Sequence, residues 1–280
     1  MAAVNRRCGN TPLLSNEPAE RVFKSVAVAL LVGLAAAVPS RAETAAPACD
    51  NPLDLIRMAN PLSHVAKKIA AGESLTIVAL GSSSTAGAGA SSPAATYPSQ
   101  LTVELHRHFP KLSITMLNRG VGGEEVADML RRFDTAVIAA KPDLVLWQLG
   151  TNSVIRGHRL SDHGAMIREG LAKIRSIGAD VVLIDPQFAP KVIARPEAER
   201  MVDLISATAK REDVDLFRRY EVMRHWHDVD NLSFEAFVSP DGLHMNDWSY
   251  ACMAKGLGNA IAEAAQRPVM SATVTAHPVP

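Results

Sequence analysis

A chain of 280 residues of which 48% are hydrophobic can bury a full core without staples or metals, and one main domain is its default. Lysine plus arginine (29) equals aspartate plus glutamate (29), which excludes the basic footprint that nucleic-acid binding requires. Aromatic residues make up only 5%, which suits close packing of helices on a sheet but identifies no substrate.

Arg6, Arg7, Arg21 and Lys24 precede the apolar run Val26–Val38, which is followed by Pro39-Ser-Arg-Ala42. This is the pattern of a secretory signal over residues 1–42, cleaved after Ala42, with small residues at the two positions that matter, Ser40 and Ala42. The run is shorter than the ~20 apolar residues that span a bilayer. The mature protein is therefore expected to be periplasmic or secreted, without stable membrane insertion once the signal is cleaved; an uncleaved anchor is the alternative. Removal of residues 1–42 takes five basic and two acidic residues, which moves the net charge from +0 to −3. Cys8 goes with the signal, leaving Cys49 and Cys252 as an even pair that can form one disulfide in an oxidising compartment. The alternative is a free Cys49 thiol and a Cys252 that is a small core residue.

Residues 43–73 divide into a loose Ala- and Pro-rich lead-in and a helical pattern, Leu55, Ile56, Met58, Ala59, Leu62, Val65 and Ala66, interrupted by Pro61 and closed by Gly72. Residues 74–266 then alternate strand and helix. The strands are Leu75–Leu80, Leu112–Leu117, Asp143–Leu149, Asp180–Ile184 and Val214–Phe217. The helices are Tyr97–Phe109, a stripe through Val126, Met129, Leu130 and Phe133, then Met166–Ile177, Glu197–Arg211 and Tyr250–Ala265. Ala86–Pro93 is expected to be flexible, Phe234–Asp247 loop-like, and the Pro- and Thr-containing tail 267–280 disordered. Such alternation predicts an α/β protein with a parallel sheet covered on both faces.

The ends of the strands carry the chemistry. The first feeds Gly81-Ser-Ser-Ser-Thr85, the second Asn118-Arg-Gly-Val-Gly-Gly-Glu-Glu125, the third Gly150-Thr-Asn-Ser153, and Asp241-Gly-Leu-His244 precedes the last helix. A serine attacks an ester only if a base takes its proton, and histidine has the ordinary pKa nearest neutrality. An aspartate three residues earlier can hold the far ring nitrogen, while glycine turns and an asparagine offer N–H groups to the developing oxyanion.

These four blocks, in this order, resemble those of the SGNH hydrolases of the GDSL esterase and lipase superfamily, over about residues 74–265. The resemblance implies Ser83 as nucleophile, His244 as base, Asp241 as its orienting acid, and an oxyanion hole from Ser83, Gly123 and Asn152. It also implies a three-layer α/β/α sandwich with a flavodoxin-like five-stranded sheet of order 2-1-3-4-5, and neither metal nor cofactor. Two residues depart from the family pattern, since Ser82 and Ser153 each stand where an aspartate is usual.

The function this implies is hydrolysis of short-chain, acetyl-type esters through a Ser83 acyl-enzyme, on a small-molecule or glycan ester. The loop Ala86–Pro93 brings no large apolar side chains with which to line a tunnel, although Val154, Ile155, Phe188 and Phe237 could converge on the serine from elsewhere. The alternatives are a polysaccharide O-acetyltransferase on the same site, a lipase or lysophospholipase, and a catalytically silent glycan-binding protein. Elsewhere, His106 and His108, two apart on a helix, point to different faces and suit a solvated surface better than a metal. His225-Trp-His227 could either wall the cleft or pack.

Overall fold

In the computed structural model, which describes residues 47–267, the apolar runs become five parallel strands: β1 (Leu75–Gly81), β2 (Ile114–Gly120), β3 (Leu144–Gln148), β4 (Asp180–Ile184) and β5 (Asp215–Phe217). Their order in the sheet is β2-β1-β3-β4-β5, and every pair is parallel. All of β1 except Thr76 and all of β3 are buried, as expected of strands covered on both faces. The helices Ser63–Ala71, Tyr97–His108 and Asp247–Gln266 pack together on one face, and Val126–Arg131, His163–Ser176 and Ala198–Arg211 on the other, giving three layers. The expected signal segment and the tail beyond Arg267 lie outside the described residues.

The chain runs outward from β1 in both directions, so the reversal of strand order falls between β1 and its neighbours. In such sheets the crevice at the carboxyl ends of the strands, at that reversal, is where ligands bind. Ser83 emerges there.

At the opposite end of the sheet, acidic side chains secure the first long helix. Asp180 Oδ2 accepts the N–H groups of His64 (3.0 Å) and Val65 (2.9 Å), satisfying donors that the first turn of a helix leaves free. Asp143 accepts from the Thr76 N–H at 2.8 Å and binds the His64 ring at 2.8 Å.

Several boundaries differ from expectation. β2 continues through Asn118, Arg119 and Gly120, residues that strands disfavour, because its pairing with β1 persists to Gly81↔Gly120. Arg219–Asp228 is a helix that its many charged residues concealed, and Phe234–Phe237 forms a helical turn inside the expected loop. The Ala86–Pro93 segment is fastened: Tyr250 donates to the Ala88 carbonyl at 2.6 Å, and Asp247 accepts from the Ser91 N–H at 2.7 Å. Arg267, assigned above to the tail, is also fixed, donating to the carbonyls of Met58 and Ala59 at 3.0 Å.

Cys49 and Cys252 are bonded to each other, with Cα atoms 5.4 Å apart. Three further bonds seat the lead-in on the last helix: Trp248 Nε1 to the Pro47 carbonyl (2.9 Å), Asn51 Nδ2 to the Cys252 carbonyl (3.0 Å) and Lys255 Nζ to the Cys49 carbonyl (3.1 Å).

Candidate active site

Gly81 ends β1 because no larger residue fits. A Cβ there would lie 2.1 Å from Thr85 Oγ1 and 2.8 Å from Gln148 Oε1. That close approach lets Gln148, buried at the end of β3, accept from the Ser82 N–H (2.9 Å), the Ser82 hydroxyl (3.0 Å) and the Thr85 hydroxyl (3.2 Å). Ser82 thus fixes the turn, and Ser83 begins a short helix, Ser83–Ala86, with its own N–H among those a first turn leaves unpaired.

The last part of the chain brings His244 to Ser83. His244 Nε2 lies 2.8 Å from Ser83 Oγ, and His244 Nδ1 lies 2.5 Å from Asp241 Oδ2. The ring tautomer that suits both contacts carries its proton on Nδ1, donates to Asp241 and leaves Nε2 to accept the Ser83 hydroxyl. Asp241 Oδ1 meanwhile accepts the N–H groups of Leu243 and His244, each at 2.9 Å. Burial pushes the Asp241 carboxyl up, but the His244 ring and these two backbone bonds outweigh it and hold the pKa below the usual carboxylate range. Asn246, two residues on, caps the final helix by accepting from Ser249 N at 3.1 Å, which anchors the loop at its far end.

Two donors stand on the other side of Ser83. A Cβ at Gly122 would stand 3.9 Å from Ser83 Cβ, so the Gly122-Gly123 turn lies against Ser83. Gly123 takes φ +80°, a conformation that favours glycine, and its N–H meets no acceptor among the described residues. Asn152 Nδ2 donates one hydrogen to the Glu124 carbonyl at 2.8 Å, keeping the second for a ligand. The structure therefore brings together Ser83, His244, Asp241, Gly123 and Asn152, from four separate segments of the chain.

Ser153 has an arrangement that sequence reading missed. Its hydroxyl donates to Glu125 Oε2 at 2.7 Å and sits 2.7 Å from His163 Nε2, and Glu125 also takes Arg156 (2.5 Å) and His158 (3.0 Å). A carboxylate from the second block thus occupies the surroundings of Ser153, where the family usually has an aspartate. Burial raises the Glu125 carboxyl, but the bonds from Arg156, Ser153 and His158 prevail and lower its pKa from 4.5 to about 2. A depressed carboxylate stabilises the fold above its unfolded pKa and loses that contribution as pH falls through the folded one. Glu125→Gln should therefore be less stable than wild type at neutral pH, with the difference shrinking between about pH 4.5 and 2; urea midpoints across that window measure it.

Of the apolar residues that could have lined an acyl tunnel, Val154, Phe188 and Phe237 belong to the core, and Ile155 is half-buried against it. Val154 and Phe237 are fully buried, and Phe188 belongs to the same core, stacked with Phe234 at 5.8 Å. His225-Trp-His227 packs: Trp226 is buried against Phe237 and Trp248, and the His227 ring stacks on Phe234 at 4.3 Å. His106 and His108 are exposed and bond Thr102 and Asn259 separately.

A model of the non-GDSL lipase-like family matches residues 48–267. The chain belongs to this family. An acetylxylan esterase from Geobacillus stearothermophilus is 28% identical over 90 residues, which are 29% of this chain and 41% of that protein. A solved two-domain esterase active on acetylated mannans superposes with a TM-score of 0.65 at 20% identity, covering 80% of this chain and 60% of that one. A catalytic mutant of an acetylxylan esterase from the same Geobacillus species superposes with a TM-score of 0.58 at 19% identity, covering 67% of this chain and 94% of that one. The chain thus spans under half of the curated relative and three fifths of the two-domain esterase. At these identities the two superpositions establish a shared fold for this member of the non-GDSL lipase-like family.

Proposed function

We propose that this protein is an exported carboxylic ester hydrolase that removes short acyl groups, acetyl above all, from carbohydrate through a Ser83 acyl-enzyme. The observation that carries the reading is the unbroken hydrogen-bonded chain Ser83–His244–Asp241, at 2.8 and 2.5 Å, beside the Gly123 turn. Family membership and the acetylated-glycan substrates named for the similar esterases support the substrate class.

In this mechanism His244 Nε2 takes the Ser83 proton as Oγ attacks the ester carbonyl, and Asp241 holds the imidazolium that forms. The oxyanion is received by the N–H groups of Ser83 and Gly123 and by the free hydrogen of the Asn152 amide; each such donor is worth about 3–4 kcal/mol of barrier. His244 then gives its proton to the leaving sugar hydroxyl. Water, activated by the same ring, releases the acid and restores Ser83.

Burial supplies about 0.8 kcal/mol per methylene only where an apolar lining exists to receive it. With Val154, Phe188 and Phe237 committed to the core, specificity constants on p-nitrophenyl esters should fall from acetate through butyrate and octanoate to palmitate. A steady rise from acetate to octanoate would point to a lipase instead. Release of acetate from acetylated mannan or xylan oligosaccharides tests the carbohydrate half of the reading. Transfer of acetyl to an added glycan in place of release would identify an O-acetyltransferase.

A further inference from the structure

β4 is followed by Asp185-Pro-Gln187, a stretch that the motif pattern leaves without a role, and Gln187 is 1% exposed. Its Oε1 accepts the Thr151 hydroxyl and Arg219 Nη2, both at 2.9 Å, while its Nε2 donates to the Leu243 carbonyl at 3.2 Å. Thr151 opens the helix Thr151–Arg156 immediately before Asn152, and Leu243 immediately precedes His244. Arg219 is fully buried and also donates to the Asp185 carbonyl at 3.0 Å, so it pins the amide to the end of β4.

We propose that Gln187 is a positioning residue, a rigid amide that sets the spacing between the base His244 and the oxyanion donor Asn152; this rests on the ester-hydrolase reading above. The loop Ser239–His244 is otherwise closed mostly on itself. Ser239 N–H donates to the His244 carbonyl (2.7 Å), Gly242 N–H to the Ser239 carbonyl (2.9 Å), and among the described residues Asp241 bonds Leu243 and His244 alone. Its ties to the segment following β4 are the Lys191 N–H on the Gly242 carbonyl, at 3.0 Å, and Gln187. The first holds the tip of the turn. The second acts on the peptide next to the base.

A planar amide with acceptor and donor on one carbon has a fixed span, so it couples the two loops without the freedom of a longer contact. Proton transfer from Ser83 requires hydrogen-bond reach, and a displacement of about 1 Å in such a group costs about a hundredfold in rate. Gln187 touches no substrate in this scheme. Its effect passes through His244 and Asn152.

The decisive variant is Gln187→Glu, whose carboxylate still accepts from Thr151 and Arg219 but cannot donate to the Leu243 carbonyl. It should keep its melting temperature close to wild type, lower kcat on p-nitrophenyl acetate by about 10- to 100-fold, and leave KM within about twofold. As pH falls and the new carboxyl is protonated, the donor returns, so the ratio of variant to wild-type kcat should climb. Gln187→Leu should lose at least as much kcat, and if it fails to fold the Glu variant decides. Folded variants with wild-type kcat, or a kcat loss whose ratio to wild type is flat with pH, would overturn the clamp while leaving the hydrolase reading in place. An inactive wild type would overturn that reading and the clamp with it.

Discussion

Ser83→Ala should abolish ester hydrolysis, lowering kcat by about 10⁶-fold, the scale on which removal of a serine nucleophile acts elsewhere. The register is what is at stake, because Ser82, Ser83 and Ser84 are consecutive and only one of them meets the base. Ser83 Oγ stands 2.8 Å from His244 Nε2, whereas the Ser82 hydroxyl is spent on Gln148 at 3.0 Å. Ser82→Ala removes one buried hydrogen bond, worth about 1 kcal/mol, and keeps the backbone N–H bond to Gln148, so it should retain activity within about tenfold. Asp241→Asn should lose about 10⁴-fold, since an amide can favour the wrong histidine tautomer while preserving the shape of the loop. Steady-state rates on p-nitrophenyl acetate for the three variants, each checked for folding, separate these outcomes. An active Ser83→Ala beside a dead Ser82→Ala would move the nucleophile by one position.

The disulfide should supply the largest single contribution to stability. Cys49 lies before β1 and Cys252 within the last helix, so the bond closes a loop that contains all five strands, over a sequence separation of 203. The chain-entropy relation gives about 5 kcal/mol for a loop of that length, and the loss of native disulfides in small secreted domains ranges over about 2–5 kcal/mol. Cys49→Ser is the cleaner variant, because Cys252 is buried and its removal would also leave a cavity. A fall of about 2–5 kcal/mol in unfolding free energy is expected, with catalysis unchanged at low temperature. Activity survives because the bonds from Trp248, Asn51 and Lys255 still seat the lead-in. Equal denaturant midpoints with and without reductant would contradict this.

The sheet was legible in the sequence because its central strands are runs of Val, Leu and Ile bounded by glycine, and periodicity reports such runs directly. The meeting of Ser83, His244 and Asp241 was legible because each sits in a short block whose spacing ester chemistry would constrain: three residues from Asp241 to His244, two from Gly81 to Ser83. What stayed hidden depends on contacts between distant parts of the chain. β2 gains Asn118–Gly120 only through pairing with β1. The helix Arg219–Asp228 buries Arg219, Tyr220, Val222, Met223 and Trp226, but the charged residues among them leave no clean apolar stripe to mark it. The Gln187 amide was hidden for the same reason, since its partners are 32, 36 and 56 residues away.

The two departures from the family pattern illustrate the same limit. Ser82 and Ser153 looked like losses of carboxylate, yet each is met by a group from a distant part of the chain, Gln148 at the end of β3 for Ser82 and Glu125 for Ser153. A single sequence shows the missing side chain. It does not show the compensating one, because nothing in the spacing of Glu125 and Ser153 marks them as neighbours.

The measurement that bears most directly on the central claim is to map where a serine-directed phosphonate attaches to the folded protein. Such a probe requires a hydroxyl activated by a neighbouring base and a site that stabilises the oxyanion-like adduct, so it reports the assembled machinery independently of the natural ester. Peptide mass analysis should find a single adduct on Ser83, formed in step with loss of esterase activity and suppressed in His244→Ala. Folded, active protein that takes up no phosphonate, or carries it on another serine, would contradict the account.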